Sequence, residues 1–205
     1  MSVHSHDQMV PGKGIKDIGQ LGTWMGLISF TFLFATFIAS NVYLRGWSPE
    51  TFSINLPGSV QNIVYLNFLF TVLAGVLSIS AGISYKKKKN ALFITLYILS
   101  AMAFVGDSIL TGWIVGHYYG LSAAAWTAYG MVEIFMLILD VISLVLFIVG
   151  FFYMRPKKNK SLNRFIPGAL SVWVYTMIMG VIVFIQCDLI EVGQFLEWCG
   201  MKLTQ

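Results

Sequence analysis

Charge is what this sequence has least of. Asp, Glu, Lys and Arg together make up 11% of its 205 residues, and 57% are hydrophobic, whereas a soluble domain carries about 25% charged residues. A water-soluble fold of this size could not hide so much apolar surface in one core. Histidine is also scarce. Of three, His4 and His6 fall in the polar N-terminal tail and only His117 falls near an apolar run. That excludes a bis-histidine haem held within this chain and any Cys/His metal cluster. No phosphate loop, nucleophile elbow or dinucleotide fingerprint occurs. Residues 1–17 are polar and contain no apolar core of a cleavable signal peptide. The net charge of +4 does not point to nucleic acid, because the basic residues sit in short clusters between apolar runs.

Long apolar runs are what the sequence has instead. Five are long enough for a bilayer, which takes about 20 residues: about 18–44, 58–85, 91–116, 124–154 and 167–189. They are apolar all round, and barrel strands would be shorter and alternating. Helices satisfy their own backbone in hydrocarbon, so the expected fold is an all-α bundle of five transmembrane helices over 18–189. A polar N-tail (1–17) and a short outer tail (190–205) flank it.

Orientation follows from the basic residues. Lys13, Lys16, Lys86, Lys87, Lys88, Lys89, Arg155, Lys157, Lys158, Lys160 and Arg164 lie on one side; Arg45 and Lys202 lie on the other. Eleven against two is a strong positive-inside bias. It places the N-terminus in the cytoplasm and the C-terminus outside. Trp47, Trp126 and Trp198 then fall near the outer boundary, where aromatic belts form. In the outer tail, Phe195, Leu196 and Trp198 mix with Glu191, Gln194 and Glu197, the pattern of an interfacial helix. Cys187 and Cys199 both lie near the outer face. An oxidising compartment permits a disulfide there; two free thiols are the alternative, since spacing fixes no geometry.

Small residues recur every four positions: Gly22 and Gly26 in the first run; Ala74, Ser78 and Gly82 in the second; Ser108, Gly112, Gly116 and Gly120 in the third. Such stripes let helix backbones approach closely, within the chain or on a partner. The prolines Pro57, Pro156 and Pro167 are expected outside the helices or at their ends, and no internal repeat of the carrier type is visible.

The intramembrane carboxylates carry the sharpest chemistry. Asp107 and Asp140 both fall near mid-depth at ~1.5 Å per residue, so they can face each other, and Glu133 lies two turns from Asp140 on the same helix face. No Lys or Arg lies at that depth. A bare carboxylate is costly there, so each is expected to be protonated or hydrogen-bonded to hydroxyls or water. Two readings stand: a proton or ion path, or a neutral hydrogen bond tying helices or subunits together.

The order of motifs resembles subunit III of the haem–copper oxidases, in its short five-helix bacterial form. In LGTWMGLISFTFLFATFIASNVYLR (21–45), Trp24, Ser29, Phe34, Tyr43 and Arg45 are similar to that family's opening helix. Pro57, Leu66–Asn67 and Ala74–Gly75 resemble its next helix. Tyr129–Gly130 before a long helix ending in Arg155 resembles its penultimate one, and Trp173 with Tyr175 its last. The resemblance covers about 18–189. The chain departs from the family where the membrane glutamate is replaced by Phe30, where a histidine pair falls near Asp140 and Ser143, where another histidine falls at Val174, and where a glutamine falls near Asp107.

The resemblance implies a non-catalytic accessory subunit of a cytochrome c or quinol oxidase in aerobic electron transport, in a bacterial or archaeal plasma membrane. It implies haem and copper in partner subunits I and II, none in this chain, and bound phospholipid. The alternatives are a membrane ion or small-solute carrier using Asp107, Asp140 and Glu133, or a subunit of another membrane redox complex.

Overall fold

A computed structural model describes residues 14–52, 56–154 and 159–189. Residues 1–13 of the N-tail with His4 and His6, the outer tail with Trp198, and Cys199 with its pairing to Cys187 lie outside the described residues, while 14–17 of that tail are already helical. Within them the chain is an all-α bundle. Helix α1 runs Gly14–Trp47, α2 Pro49–Phe52, α3 Gly58–Lys86, α4 Asn90–Leu121 and α5 Ala123–Ala125. A π-helical segment at Trp126–Gly130 leads into α6 (Met131–Tyr153), and α7 (Asn159–Phe184) passes into a second π-helical segment at Ile185–Leu189. Five of these stretches are long and apolar enough to cross a membrane: Gly19–Trp47, Gly58–Lys86, Asn90–Leu121, Ala123–Tyr153 and Ser161–Leu189. The chain is a multi-pass membrane protein.

Local chemistry explains the breaks. Pro49 disfavours helix at Ser48 and then starts α2 at the position where a missing N–H costs nothing. Between α3 and α4 the lysine run makes a tight turn: Lys88 takes φ 57° and Lys89 N–H bonds back to the Ser84 carbonyl at 3.1 Å. Ser122 turns extended after α4, and its hydroxyl caps α5 by accepting Ala125 N–H at 3.0 Å.

Helix α3 packs on α4 and α7, α6 closes against α4 and α7, and α1 leans on α7 and α6. Two buried clusters result. The one nearer the lysines holds Phe93, Tyr97, Phe104, Phe147, Leu162 and Trp173; the one nearer the other end holds Phe34, Ile114, Tyr118, Tyr129, Leu139 and Val183.

One expectation needs correction. Pro167 is not at a helix end: α7 begins at Asn159, so the proline lies within it. The carbonyl that loses its N–H partner to Pro167 is that of Asn163, in the polar opening turns of the helix, and the Ser171 hydroxyl makes an ordinary back-bond to the Pro167 carbonyl at 3.0 Å. Both π-helical segments widen a span near the end away from the lysines, a feature that hydropathy does not signal.

The small-residue stripes divide into packed and open. Ala74 and Ser78 are buried, and a Cβ at Gly82 would stand 2.7 Å from Leu170, so this stripe meets α7 and α4. Ser108 is half-buried and turns its hydroxyl to the Phe104 carbonyl. Gly112 only grazes Leu137, at 4.0 Å. Gly22, Gly26, Gly116 and Gly120 have nothing within 4 Å, so they make no close approach among the described residues. Sequence periodicity overlooked other close approaches, at Gly150 on Tyr97, Gly75 on Met177, Gly180 on Thr71 and Gly106 on Phe70.

Candidate functional site

Asp107 on α4, Asp140 and Glu133 on α6 are all buried, at 1%, 0% and 7% exposure. A continuous apolar run places each side chain at depth, and the packing of α3, α4, α6 and α7 turns them inward. Asp107 and Asp140 are close enough to repel each other if both were charged. Glu133 lies within the field of Asp107 and of Asp188, on the second π-helical segment.

Uncharged donors surround Asp107. The Thr71 hydroxyl stands 2.6 Å from Oδ1 and 3.1 Å from the Asn67 carbonyl. With its amide nitrogen turned toward Asp107, Asn67 lies 3.0 Å from Oδ1 and 3.1 Å from the Asp107 carbonyl, while its oxygen accepts from Thr111 at 3.3 Å. The other Asp107 oxygen and both oxygens of Asp140 make no hydrogen bond of good geometry among the described residues, and the Thr111 hydroxyl is the donor nearest to hand for Asp140. Against Asn67 and Thr71 lies a cavity of about 20 Å³ that Glu133 and Asp188 also line, with Ile114, Met136 and Val183 among its apolar walls; Asp107 is one hydrogen bond away, through Thr71. Its size and polarity suit a single water.

Outside this group, α1 grips both π-helical segments. Asn41 Nδ2 donates to the Ala128 carbonyl at 2.6 Å, and an Arg45 guanidinium nitrogen donates to the Gln186 carbonyl at 2.9 Å. Gln186 Nε2 returns a bond to the Ile38 carbonyl at 3.2 Å. The Arg45 guanidinium lies 5.2 Å from the Tyr129 ring centre, and its charge attracts Asp188. Widened helical turns leave backbone carbonyls to be satisfied from outside the helix. The side chains of Asn41 and Arg45 supply those bonds here.

Toward the lysine-bearing end the column stops. Ser143 and Thr176 share a hydrogen bond of 3.0 Å, and Trp173 Nε1 donates to the Ser143 carbonyl at 3.3 Å. Below them the Phe147 and Trp173 rings stack at 4.1 Å, with Phe104 against Phe147.

The structure thus buries Asp107, Asp140 and Glu133 within electrostatic reach of one another, and among the described residues only Asp107 has a hydrogen bond to the wall of the cavity that Glu133 lines. Periodicity and depth alone missed Asn41, Asn67, Thr71, Thr111 and Asp188 as members of the polar column, and treated Arg45 only as a boundary. One signal was present: Asn67–Thr71 and Asp107–Thr111 are each spaced by four residues, one above the other on a helix face. His117 stacks on Trp113 at 5.3 Å, near the outer end of α4 and away from these contacts. Among the described residues no three His, Cys, Asp or Glu side chains converge for a metal ion. No protein-family model matches the chain, and no curated protein matches it.

Proposed function

We propose that this chain is a non-catalytic accessory subunit of a respiratory haem–copper oxidase in a bacterial or archaeal plasma membrane, docked on the catalytic subunit through α1. The order and spacing of motifs over 18–189 support the family. The observation that carries the docking is the state of α1. Only 11% of its most apolar stretch is buried, against 28% to 39% in the other spans, and Gly22 and Gly26 face nothing within 4 Å. Glycine costs about 1 kcal/mol in a helix relative to alanine, and a lipid-facing position has no use for it. A helix of a partner subunit that approaches closely does.

Purification in mild detergent tests the reading. Haem-bearing chains should co-purify with this one, while the chain alone should show no haem absorbance and no turnover. Stoichiometric haem or copper in the isolated chain overturns it. Gly22→Leu with Gly26→Leu should release the partner and leave the isolated chain folded.

The carrier reading is favoured by a single observation, the unsatisfied oxygens of Asp107 and Asp140. Solute-dependent flux by the chain alone in liposomes would establish it over the oxidase reading.

A further inference from the structure

We propose that Asp107, Asp140 and Glu133 form a proton-binding site supplied from the outer face alone, through the cavity beside Asp188, and closed toward the cytoplasm by Phe104, Phe147 and Trp173. This rests on the geometry of the acidic column and stands apart from the oxidase partnership; the outer face is the one opposite the lysines.

Three observations carry it. First, among the described residues three carboxylate oxygens on side chains at 0–1% exposure make no hydrogen bond of good geometry, with the Thr111 hydroxyl the donor near Asp140. A buried polar atom left unsatisfied costs about 1–3 kcal/mol, which a shared proton or a water relieves. Second, the cavity joins Glu133, Asn67 and Thr71 to Asp188, and Asp188 is only half-buried. Third, the polar groups on the other side of Asp140 are engaged with one another, and the Phe104–Phe147–Trp173 rings fill the space below them.

The hydrogen bonds also indicate where a proton sits. Thr71 has one proton and two acceptors in reach, Asp107 Oδ1 and the Asn67 carbonyl. All three groups are satisfied when Asp107 carries a proton and donates it to Thr71, which then donates to Asn67. Entry needs only O–H bonds to form and break. Outer water protonates Asp188; Asp188 passes its proton to the cavity water, which gives one of its own to Glu133 or to the Thr71 hydroxyl in the same wall, and Thr71 gives its proton to Asp107 Oδ1 as it takes the new one. Each donor is restored from outside, so the net change is one proton moved from outer water to a buried carboxylate.

Charged or titratable groups face this path from several sides: Arg45 on α1, Tyr118 on α4, Tyr129 on the first π-helical segment, and Cys187 with Asp188 on the second. Helix α3 contributes only the neutral Asn67 and Thr71.

The test uses the full chain, with any chains that accompany it, reconstituted in sealed liposomes in one orientation. The infrared C=O band of buried carboxylic acid is followed while pH is stepped on one side at a time. The band should respond to outer pH and not to inner pH. Asp107→Asn should remove part of the band while circular dichroism stays unchanged, and Asp188→Asn should slow the response without changing its final size. Phe147→Ala should make the band respond from both sides. A wild-type band that responds to inner pH, or to neither side, overturns the proposal, as does an unchanged band in Asp107→Asn.

Discussion

In the half of the bundle nearest the lysines, the buried polar side chains are paired. Ser78 shares a bond with Ser100 at 2.6 Å, Ser100 reaches the Ala74 carbonyl at 2.9 Å, and Tyr97 donates to the Phe147 carbonyl at 2.8 Å. Around them Tyr97, Phe104, Phe147 and Trp173 pack ring on ring. The other half is built differently. It holds both π-helical segments, a buried Arg45 at 6% exposure, and partnerless oxygens on Asp107 and Gln186, with Asp140 at the border between the halves. One half is closed by local pairing and ring packing, and the other keeps unsatisfied polar capacity. Such capacity in a membrane interior marks a site by default.

The largest effect expected from breaking this contrast lies in the packed half. Trp173→Ala removes the ring stacked on Phe147 and a bond to Ser143, and should cost about 3–5 kcal/mol. A drop in the midpoint of denaturant-induced unfolding in mixed micelles checks it.

Gly180→Ala probes the border between the halves. Its Cβ would collide with Thr71, a β-branched side chain with little freedom to move, so about 1–3 kcal/mol of overpacking is expected. The same unfolding assay measures it, and Gly26→Ala, with nothing within 4 Å, is the control that should leave the isolated chain unchanged.

Asp140 tests the unsatisfied half more gently. Asp140→Asn keeps a donor and an acceptor and should preserve assembly. Asp140→Leu should cost about 1–3 kcal/mol, and membrane hydrogen bonds often measure below that range. Assembly yield and proton translocation measured together separate the roles. Full assembly with impaired proton movement in the Asn variant assigns Asp140 to a relay; unchanged movement assigns it to structure.

The smallest energetic effect is expected of topology probes. A reporter after Gln205 should read as external and one at Lys88 as cytoplasmic, with little change in stability. A cytoplasmic C-terminus would contradict the span count and invert the sidedness of the proton site.

Much of the fold was legible beforehand. Spans at 58–85 and 124–154 match helical stretches Gly58–Lys86 and Ala123–Tyr153 within a residue, because a bilayer demands length and apolarity and the sequence states both. The last span was misplaced at its start. Helix α7 begins at Asn159 through polar Asn163 and Arg164, where hydropathy falls although helix continues. The candidate site was half legible. Depth put Asp107 level with Asp140, but neutral Asn67 and Thr71 carry no signal as strong as a carboxylate in an apolar run.

The sequence by itself determined the number of spans and the depth of each acidic residue along them, because water and lipid act on residues one at a time. Only the tertiary structure decided which faces turn inward. In a water-soluble helix the core face is apolar and the rest polar, so periodicity reveals it. Here lipid and core are alike in polarity, and α3 or α4 reads much the same around its circumference. Contacts decided that Thr71 would meet Asp107, that Asn41 and Arg45 would bind the carbonyls of two widened turns, and that Gly22 and Gly26 would be left open.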